Sequence, residues 1–353
     1  LIAKGYAHSQ VLLGIVVKQS GWSRVQKKHH KDTKKAEKKG SLGRICGRLR
    51  CQSFMKKTHR AYLELHFAVF LFGFTAILGD LISLAATTLV WWRVLLTSIS
   101  LLFLIRGGRQ LGALPRSLIL QYMGIGVLVG LHWITFFGAI KYSNASVCLV
   151  CMATTSFFTA LLEPLLLRQP TRAYEILLGL LIIPGMALIV RSLDWSMLTG
   201  VGLGLLSALL ASLFAILNKK LVDRADPLSI TFLELSSAWL FISFLLPLLY
   251  YQNPDLPFWP RDWDWGFLLI LALLCTTLAY VLALRSLQHL SAFAANLTVN
   301  LEPVYGIVLA IFLLQDNKEL NPNFYGGGLI ILIAVFSYPL LKSRFEKPAV
   351  EQQ

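Results

Sequence analysis

Glu302 is the side chain whose type and position point most directly to chemistry. It stands inside a long apolar stretch, directly before Pro303. A charge at the centre of a membrane helix costs at least about 2.5 kcal/mol, so such residues usually mark a site for a substrate or proton. Proline bends a helix and frees a carbonyl, here that of Val299. With Asn296 and Asn300 nearby, Glu302 is a candidate binding or coupling group, and a protonated carboxyl that joins two helices is the alternative.

Two further ionisable residues, Arg93 and Glu234, stand about six residues inside other apolar stretches. If these stretches enter from opposite faces, a rise of 1.5 Å per residue leaves about 12 Å between the two depths. We therefore do not expect Arg93 to pair directly with Glu234, and each should find a local partner or a water-filled space. For Arg93, extension of the guanidinium to the membrane surface is an alternative.

Aromatic and hydroxyl-bearing residues complete the candidates for a site. Rings near the middle of a membrane can line a cavity for an organic solute, and ordinary packing is the alternative for each of them. Thr155 can bond to its own helix or face the same path. Tyr305 lies in the same segment as Glu302. The other candidates are His132, Trp133 and Tyr280.

The sequence carries no motif of an enzyme or of a nucleotide-driven pump. HExxH, GxSxG and a phosphate-binding glycine loop are all missing from it. Cys148 and Cys151 spell CxxC, but inside an apolar stretch they are interpreted as small packing residues. We expect no catalytic residues, no metal and no cofactor. Glycines are interpreted as close-packing points, for example Gly200, Gly202, Gly204 and the run 326–328.

The composition assigns these residues to a membrane protein. Of 353 residues, 56% are hydrophobic and 14% are charged, against about 25% charged in soluble domains. Ten apolar stretches follow, each near the roughly 20 residues that a helix needs to cross about 30 Å of hydrocarbon. We place the spans at about 62–80, 87–105, 117–139, 144–166, 174–191, 198–217, 228–250, 265–286, 292–314 and 324–342.

The basic residues of the short loops predict the orientation. With the N-terminus inside, 15 Lys and Arg lie on the cytoplasmic side and 4 on the other, as the positive-inside rule requires. Six of the nine tryptophans then lie near the outer face. We therefore expect a multi-pass protein of a cell membrane, inner or plasma, with both termini cytoplasmic and a cytoplasmic tail at 344–353.

Most of the net charge of +15 lies in residues 1–54, which hold 13 basic and 2 acidic residues. This leader has no apolar periodicity and should be disordered. The chain begins at Leu1 and its first methionine is Met55, so we hypothesise that the leader is upstream sequence read in frame. A tail that binds anionic lipid and a tail that binds nucleic acid are the alternatives. For the protein itself we expect a lipid bilayer and a small solute as partners, and no nucleic acid.

A shift of 148 residues lays spans three to five over spans eight to ten. Ser143 then meets Ser291, and Gly179 meets Gly327. Each half, 55–192 and 197–343, has five spans, and an odd number makes the second half enter from the opposite face. Inverted repeats of this kind are typical of secondary transporters. The predicted fold is an all-α membrane protein with ten transmembrane helices in two inverted five-helix repeats.

Over about residues 60–343 the chain resembles the EamA-type family of the drug/metabolite transporter superfamily. The resemblance implies a permease that moves small metabolites or drugs by alternating access, often outward and without ATP. The resemblance also implies that the protein is not an enzyme. Proton coupling through Glu302 is one option for its mechanism. A membrane scaffold without transport is the alternative function. The matching segments are Trp92-Arg93, Gly138 to Ser146, Leu287 to Ala292 and Asn300 to Gly306.

The chain departs from this family at Thr155. Members often carry proline there, and Thr155 is the counterpart of Pro303 at the shift of 148 residues. The resemblance therefore leaves open whether the two halves bend equally. The solute, the coupling ion and the oligomeric state are not predicted from these residues.

Overall fold

The computed structural model describes residues 57–105, 109–112, 114–190, 195–299, 301–302, 304–305, 309 and 322–345. The chain divides into two units, residues 1–59 and residues 60–353. The predicted leader and most of the predicted tail lie outside the described residues, as do Asn300 and Pro303. The helices that carry the candidate site belong to the second unit.

The described part of the chain is helical and contains no β-strand. We number its main helices in chain order. They are α1 (Lys57–Leu81), α2 (Ala86–Leu104), α3 (Arg116–Tyr142), α4 (Ala145–Ala153 and Thr155–Leu167), α5 (Ala173–Val190), α6 (Leu198–Leu221), α7 (Pro227–Gln252), α8 (Asp264–Leu287), α9 (Ala292–Val299) and α10 (Pro322–Phe345).

Seven segments of the described chain are long and apolar enough to cross a membrane. They are α1, α2, α3, α7 and α8, together with Val147–Leu167 of α4 and Trp195–Arg224 around α6. The other three predicted spans coincide with α5, α9 and α10. An all-helical, multi-pass membrane protein is thus confirmed, whereas the full count of ten crossing helices stays a prediction.

Local sequence explains where several helices begin and end. The Asn144 side chain accepts a hydrogen bond from the Val147 N–H at 2.8 Å, and Asp226 accepts one from the Leu228 N–H at 3.0 Å. Both are N-caps, which satisfy backbone donors that have no partner within the helix. After the second segment of α4, Arg168 adopts φ 53°, the left-handed conformation in which many helices stop.

α4 is interrupted at Thr154, between its two segments. The Thr154 hydroxyl donates to the Cys151 carbonyl at 2.6 Å, and its N–H reaches the same oxygen at 3.0 Å. Just after α9, the Leu301 N–H makes the same kind of three-residue bond to the Thr298 carbonyl, at 3.0 Å. Both halves therefore interrupt the corresponding helix at matching places. The break in the first half thus forms with Thr155 where the family often has proline.

The helices of the two matched halves pack extensively against each other. α3 lies along α6 and α7, and α2 lies against α7 and α8. α4 contacts α6 and α9, while α5 contacts α10. Each of these first-half helices therefore has its main neighbours in the second half, so the space enclosed between the halves is lined by both.

Close approach of these helices depends on particular glycines. A Cβ on Gly126 of α3 would overlap the backbone of Glu234 in α7. A Cβ on Gly204 of α6 would lie 2.7 Å from Cβ of Cys151, which packs there as a small buried residue. Gly202 and Gly326 have no atom within 4 Å of the position of a Cβ. The expectation of close packing is therefore wrong for these two glycines.

Candidate functional site

A cavity of about 120 Å³ lies between the two halves. It is bordered by α1, α2, α3 and α4 from the first half and by α6, α8, α9 and Glu302 from the second. A cavity of this size holds several water molecules or part of a small organic molecule. Seven of the ten candidate residues line it. They are Arg93, His132, Trp133, Thr155, Tyr280, Asn296 and Glu302.

Arg93 is buried at the wall of the cavity, with 1% of its surface exposed. Its Nε donates to Oγ1 of Thr276 in α8 at 2.7 Å. The guanidinium carbon lies 4.1 Å from the ring centroid of Trp133, a cation–π contact. Its Nη1 is buried without a hydrogen-bond partner. The alternative in which Arg93 extends to the membrane surface is therefore wrong.

The partner of Arg93 stands on a π-helical stretch of α8, Leu273–Leu278. The hydroxyls of Thr276 and Thr277 donate to the carbonyls five residues earlier, at 2.6 and 2.9 Å. In α2, Thr97 donates to the Ala272 carbonyl at 3.2 Å, and Ser100 lies 2.8 Å from the Thr277 hydroxyl. Single π-turns inside α-helices are frequent at functional sites. Here the wider turn joins α8 to α2 through a line of hydroxyl groups.

Glu234 lies behind the cavity wall and is fully buried. Its Oε2 accepts a hydrogen bond from the Tyr280 hydroxyl at 2.6 Å and one from Nδ2 of Asn218 at 3.3 Å. Tyr280 and Asn218 both face the cavity. Glu234 and Arg93 therefore have separate partners, as the difference in depth predicted, and Glu234 orients two lining residues without lining the cavity itself.

His132 is fixed against α6 by Ser207. Its Nδ1 lies 2.8 Å from the Ser207 hydroxyl and 3.0 Å from the Ser207 carbonyl oxygen. The Ser207 hydroxyl donates in turn to the His132 carbonyl at 3.0 Å. His132 is therefore a positioned polar group of the wall.

Asn296 and Thr155 bring polar atoms from α9 and α4. The Asn296 amide donates to Thr159 at 2.8 Å, and Thr159 lies 3.0 Å from the Ser212 hydroxyl. This chain of bonds joins α9, α4 and α6. The Thr155 hydroxyl is buried without a partner at the cavity wall. Its capacity to form hydrogen bonds is thus unused in this arrangement.

Glu302 follows α9 and lines the cavity, with 6% of its surface exposed. Arg93 lines the same cavity. Tyr305 is not part of the wall; its ring packs edge-on against Phe70 with centroids 5.9 Å apart. Asn300, the remaining candidate, lies outside the described residues. The predicted cluster of Glu302 with Asn296 thus gains Arg93 as a third polar group.

Glu163 plays a part that sequence reasoning missed. Its carboxyl oxygens accept the N–H groups of Ala292 and Phe293, at 3.2 and 2.8 Å, and so bind the N-terminus of α9. Close by, Nζ of Lys219 donates to the Leu287 carbonyl at the end of α8, at 2.6 Å. No sequence signal identifies the pair, because donor and acceptor are about 130 residues apart.

The described residues contain no group of three or more His, Cys, Asp or Glu side chains that could hold a metal ion. The polar groups of the cavity wall are instead one guanidinium, one carboxyl, one imidazole, one indole N–H, two amides and three hydroxyls. Such a set can bind an organic solute through charge and hydrogen bonds. Asn218 belongs to this set, and Thr276 supports it by accepting a hydrogen bond from Arg93. Neither was among the predicted residues.

Comparison with known proteins agrees with this architecture. The model of the EamA-like transporter family matches residues 60–191 and 198–338, one match for each predicted half. A crystal structure of a protein with 15% sequence identity superposes with a TM-score of 0.61, covering 81% of this chain and 98% of that chain. That likeness concerns the fold alone. No curated protein matches the chain.

Proposed function

Because the chain belongs to the EamA-like transporter family, we propose that it is a secondary transporter that carries small metabolites or drugs across a cell membrane by alternating access. Members of this family are transporters rather than enzymes. Efflux is the proposed direction. The proposal concerns the solute class, the direction and the mechanism, which the family alone leaves unspecified.

The cavity between the two halves is the observation that carries the proposal. It is lined by helices of both matched repeats, and its polar groups come from each of them. In transporters with two repeats, a site of this kind is exposed to one side at a time as one half rocks against the other. The breaks in α4 and after α9 place irregular backbone beside such a space, where it can be tolerated in a membrane.

The proposed topology has ten spans in two inverted halves, with both termini in the cytoplasm. Three of the ten spans correspond to α5, α9 and α10, and the sidedness of 15 to 4 basic residues supports the orientation. An inner or plasma membrane is the proposed location. Solute and lipid bilayer are the proposed partners.

Flux in proteoliposomes tests the proposal. Cells that overproduce the protein are first screened for resistance to toxic metabolite analogues, which selects the solutes. The purified protein should then exchange at least one of these solutes faster than empty liposomes do. If the protein folds and inserts but exchanges none of the solutes to which it gives resistance, the alternative of a membrane scaffold takes its place.

Glu302→Gln tests the proposed role of Glu302 as a substrate or proton site. The variant keeps the size of the side chain and removes its charge. We expect it to be produced and inserted normally and to lose flux driven by a pH gradient. Glu64→Gln is the control. In the wild type the Glu64 carboxyl pairs with Arg60 at 2.8 Å. Unchanged driven flux in Glu302→Gln would remove Glu302 from the mechanism.

A further inference from the structure

The cavity lies nearer to one end of the helix bundle than to the other. At one end its lining includes Leu287, the last residue of α8, and Ala295 in the first turn of α9. Towards the opposite end the lining stops at Thr75 in α1 and at Phe136 in α3, each six residues before its helix ends, at 81 and 142. Six residues at 1.5 Å each leave about 9 Å of packed helix beyond the cavity. The cavity is thus closed at this end of the bundle.

Asp264, the first residue of α8, binds the connection between α1 and α2 at the closed end. Its Oδ1 accepts the Ser83 N–H at 3.0 Å, and its Oδ2 accepts the Ser83 hydroxyl at 2.6 Å. The N–H of Arg261, in the connection before α8, donates to the same Oδ2 at 3.2 Å. Ser83 belongs to the first matched repeat and Asp264 to the second. A charged acceptor, which forms stronger hydrogen bonds than a neutral one, therefore joins the two halves here.

Two further contacts hold the same connections in place. Lys141, near the end of α3, donates from Nζ to the Ile82 carbonyl at 2.9 Å. Nε1 of Trp92 donates to the Phe258 carbonyl at 2.8 Å and so binds the connection between α7 and α8 to α2. Trp92 is adjacent to Arg93, which lines the cavity. Both connections are therefore attached to helices that reach the site.

The opposite end of the bundle is built differently. α3 is the counterpart of α8 in the first half, and it has no acidic residue in its first turn. It contacts the end of α6 through the Tyr122 hydroxyl, which donates to the Leu221 carbonyl at 3.0 Å. Glu163 joins the halves at that end, between α4 and α9, but the cavity lining still reaches Ala295. The carboxylate that binds a connection between helices thus coincides with the end at which the cavity is closed.

The bonds at the closed end can be exchanged for bonds to water. Ser83 and Lys141 are exposed, although Asp264 is buried in this arrangement. When the two connections separate, water can therefore take the place of each lost partner. Such bonds cost less to break than a bond between two buried groups, for example that of Tyr280 with Glu234. The contact of Asp264 with Ser83 is thus suited to repeated opening and closing.

We propose that Asp264 is a gate residue: its bonds to Ser83 keep the cavity closed at this end, and their release opens it. The proposal rests on the transport function above and names the residue that controls one of the two openings. In the proposed topology this opening faces the outer side of the membrane. Lys141 and Trp92 support the closed arrangement by holding the two connections.

Cysteine labelling of the cavity in intact cells tests the gate. Cys46 and Cys51 are changed to serine, and Thr75→Cys places a thiol at the cavity wall. Asp264→Asn should raise the rate at which this thiol reacts with a maleimide that does not cross membranes. We expect a rise of about 10-fold or more, because hydrogen bonds to a charged acceptor are lost. Asp262→Asn is the matched control, since Asp262 is exposed in the same connection, and it should leave the rate unchanged.

A second reporter distinguishes opening of the gate from loosening of the whole protein. Ala76 is buried next to Thr75 in α1 but does not line the cavity. In Asp264→Asn, Ala76→Cys should therefore stay unreactive while Thr75→Cys reacts faster. If both cysteines react faster, or if Thr75→Cys reacts no faster than in the Asp262→Asn control, the assignment is overturned.

Locking the closed end tests the gate through transport. In the same background, Ser83→Cys and Asp264→Cys are combined and joined by a short bifunctional thiosulfonate, whose links are reducible. Cross-linking should abolish exchange of the solute selected by the resistance screen, and a reducing agent should restore it. Each single cysteine variant, treated in the same way, gives the flux without a cross-link.

The two measurements separate this inference from the proposed function. If the cross-linked protein exchanges solute as fast as the reduced protein does, the gate is wrong and transport stands. If the labelling of Thr75→Cys depends on Asp264 as expected but no solute is ever exchanged, the gate stands and transport is wrong.

Discussion

Arg93 works through neighbours that hold its guanidinium in one place. Thr276 accepts from Nε at 2.7 Å while its own hydroxyl proton is used on the Leu271 carbonyl at 2.6 Å. The threonine oxygen is therefore oriented as an acceptor by the helix it belongs to. Thr276 is not among the residues that line the cavity, so we regard it as a positioning residue. Its effect should reach the solute only through Arg93.

Thr276→Val should raise the KM for the transported solute about 10-fold, because a hydrogen bond to a charged group contributes about 1.5–3 kcal/mol and Thr276 accepts one from Arg93. kcat should change little, and Thr276→Ser should restore the KM because it returns the hydroxyl. Concentration dependence of flux in proteoliposomes gives both constants. The adjacent Thr277→Val is the matched control, since Thr277 bonds to Ser100 and Ala272 rather than to Arg93. Equal KM changes at both positions would show that Thr276 acts only through the stability of α8.

The helices carry these residues to the cavity because α3 lies unusually close to α7. At Gly126 the backbone of α3 meets the backbone of Glu234, and a larger residue has no space there. Glu234 in turn holds Tyr280 and Asn218 at the wall. The separation of α3 and α7 therefore determines where the wall of the cavity lies.

Gly126→Ala should destabilise the protein by about 1–3 kcal/mol, the usual cost of overpacking a tight contact. The new methyl group must push α3 away from α7. Gly124→Ala on the same helix is the control, because no atom lies within 4 Å of its Cβ position. This control should be neutral or stabilising, since alanine favours a helix over glycine. Thermal unfolding in detergent measures both, and equal midpoints would contradict the close contact.

Sidedness is a property of the whole molecule, and exposed loop residues allow it to be measured. Asp255 stands in the connection between α7 and α8, and Asp223 in the connection between α6 and α7. Both are exposed. The positive-inside rule places Asp255 outside and Asp223 inside. Among the described residues, Cys148, Cys151 and Cys275 are buried. Cys46 and Cys51, the other two cysteines of the chain, are changed to serine in every labelled protein so that the background stays low.

In intact cells, Asp255→Cys should react with a maleimide that does not cross membranes, and Asp223→Cys should not. Wild-type protein labelled in the same way gives the background. Detergent should make Asp223→Cys reactive. Labelling of Asp223→Cys but not Asp255→Cys in intact cells would reverse the proposed orientation.

Sequence patterns predicted the helices and most of the cavity wall, because membrane burial requires long apolar stretches and makes every polar residue within them conspicuous. Arg93, Glu302 and Asn296 stood out for that reason. Partners could not be predicted in the same way. The contact of Glu163 with the start of α9, and that of Thr276 with Arg93, depend on how distant helices pack. Tyr305 looked equivalent to Tyr280 in sequence, and only packing separates the two.

At the π-helical stretch of α8, the residue offset between corresponding positions of the two halves changes. His132 and Tyr280, which both line the cavity, are 148 residues apart. Before the stretch, the buried positions match instead at a separation of 146 residues: Leu118, Tyr122, Ile125 and Gly126 correspond to Asp264, Leu268, Leu271 and Ala272. Two extra residues are thus accommodated between these points. A single offset therefore relates corresponding residues of the two halves only on one side of Leu273–Leu278. Ancestral duplication followed by insertion would leave this register shift.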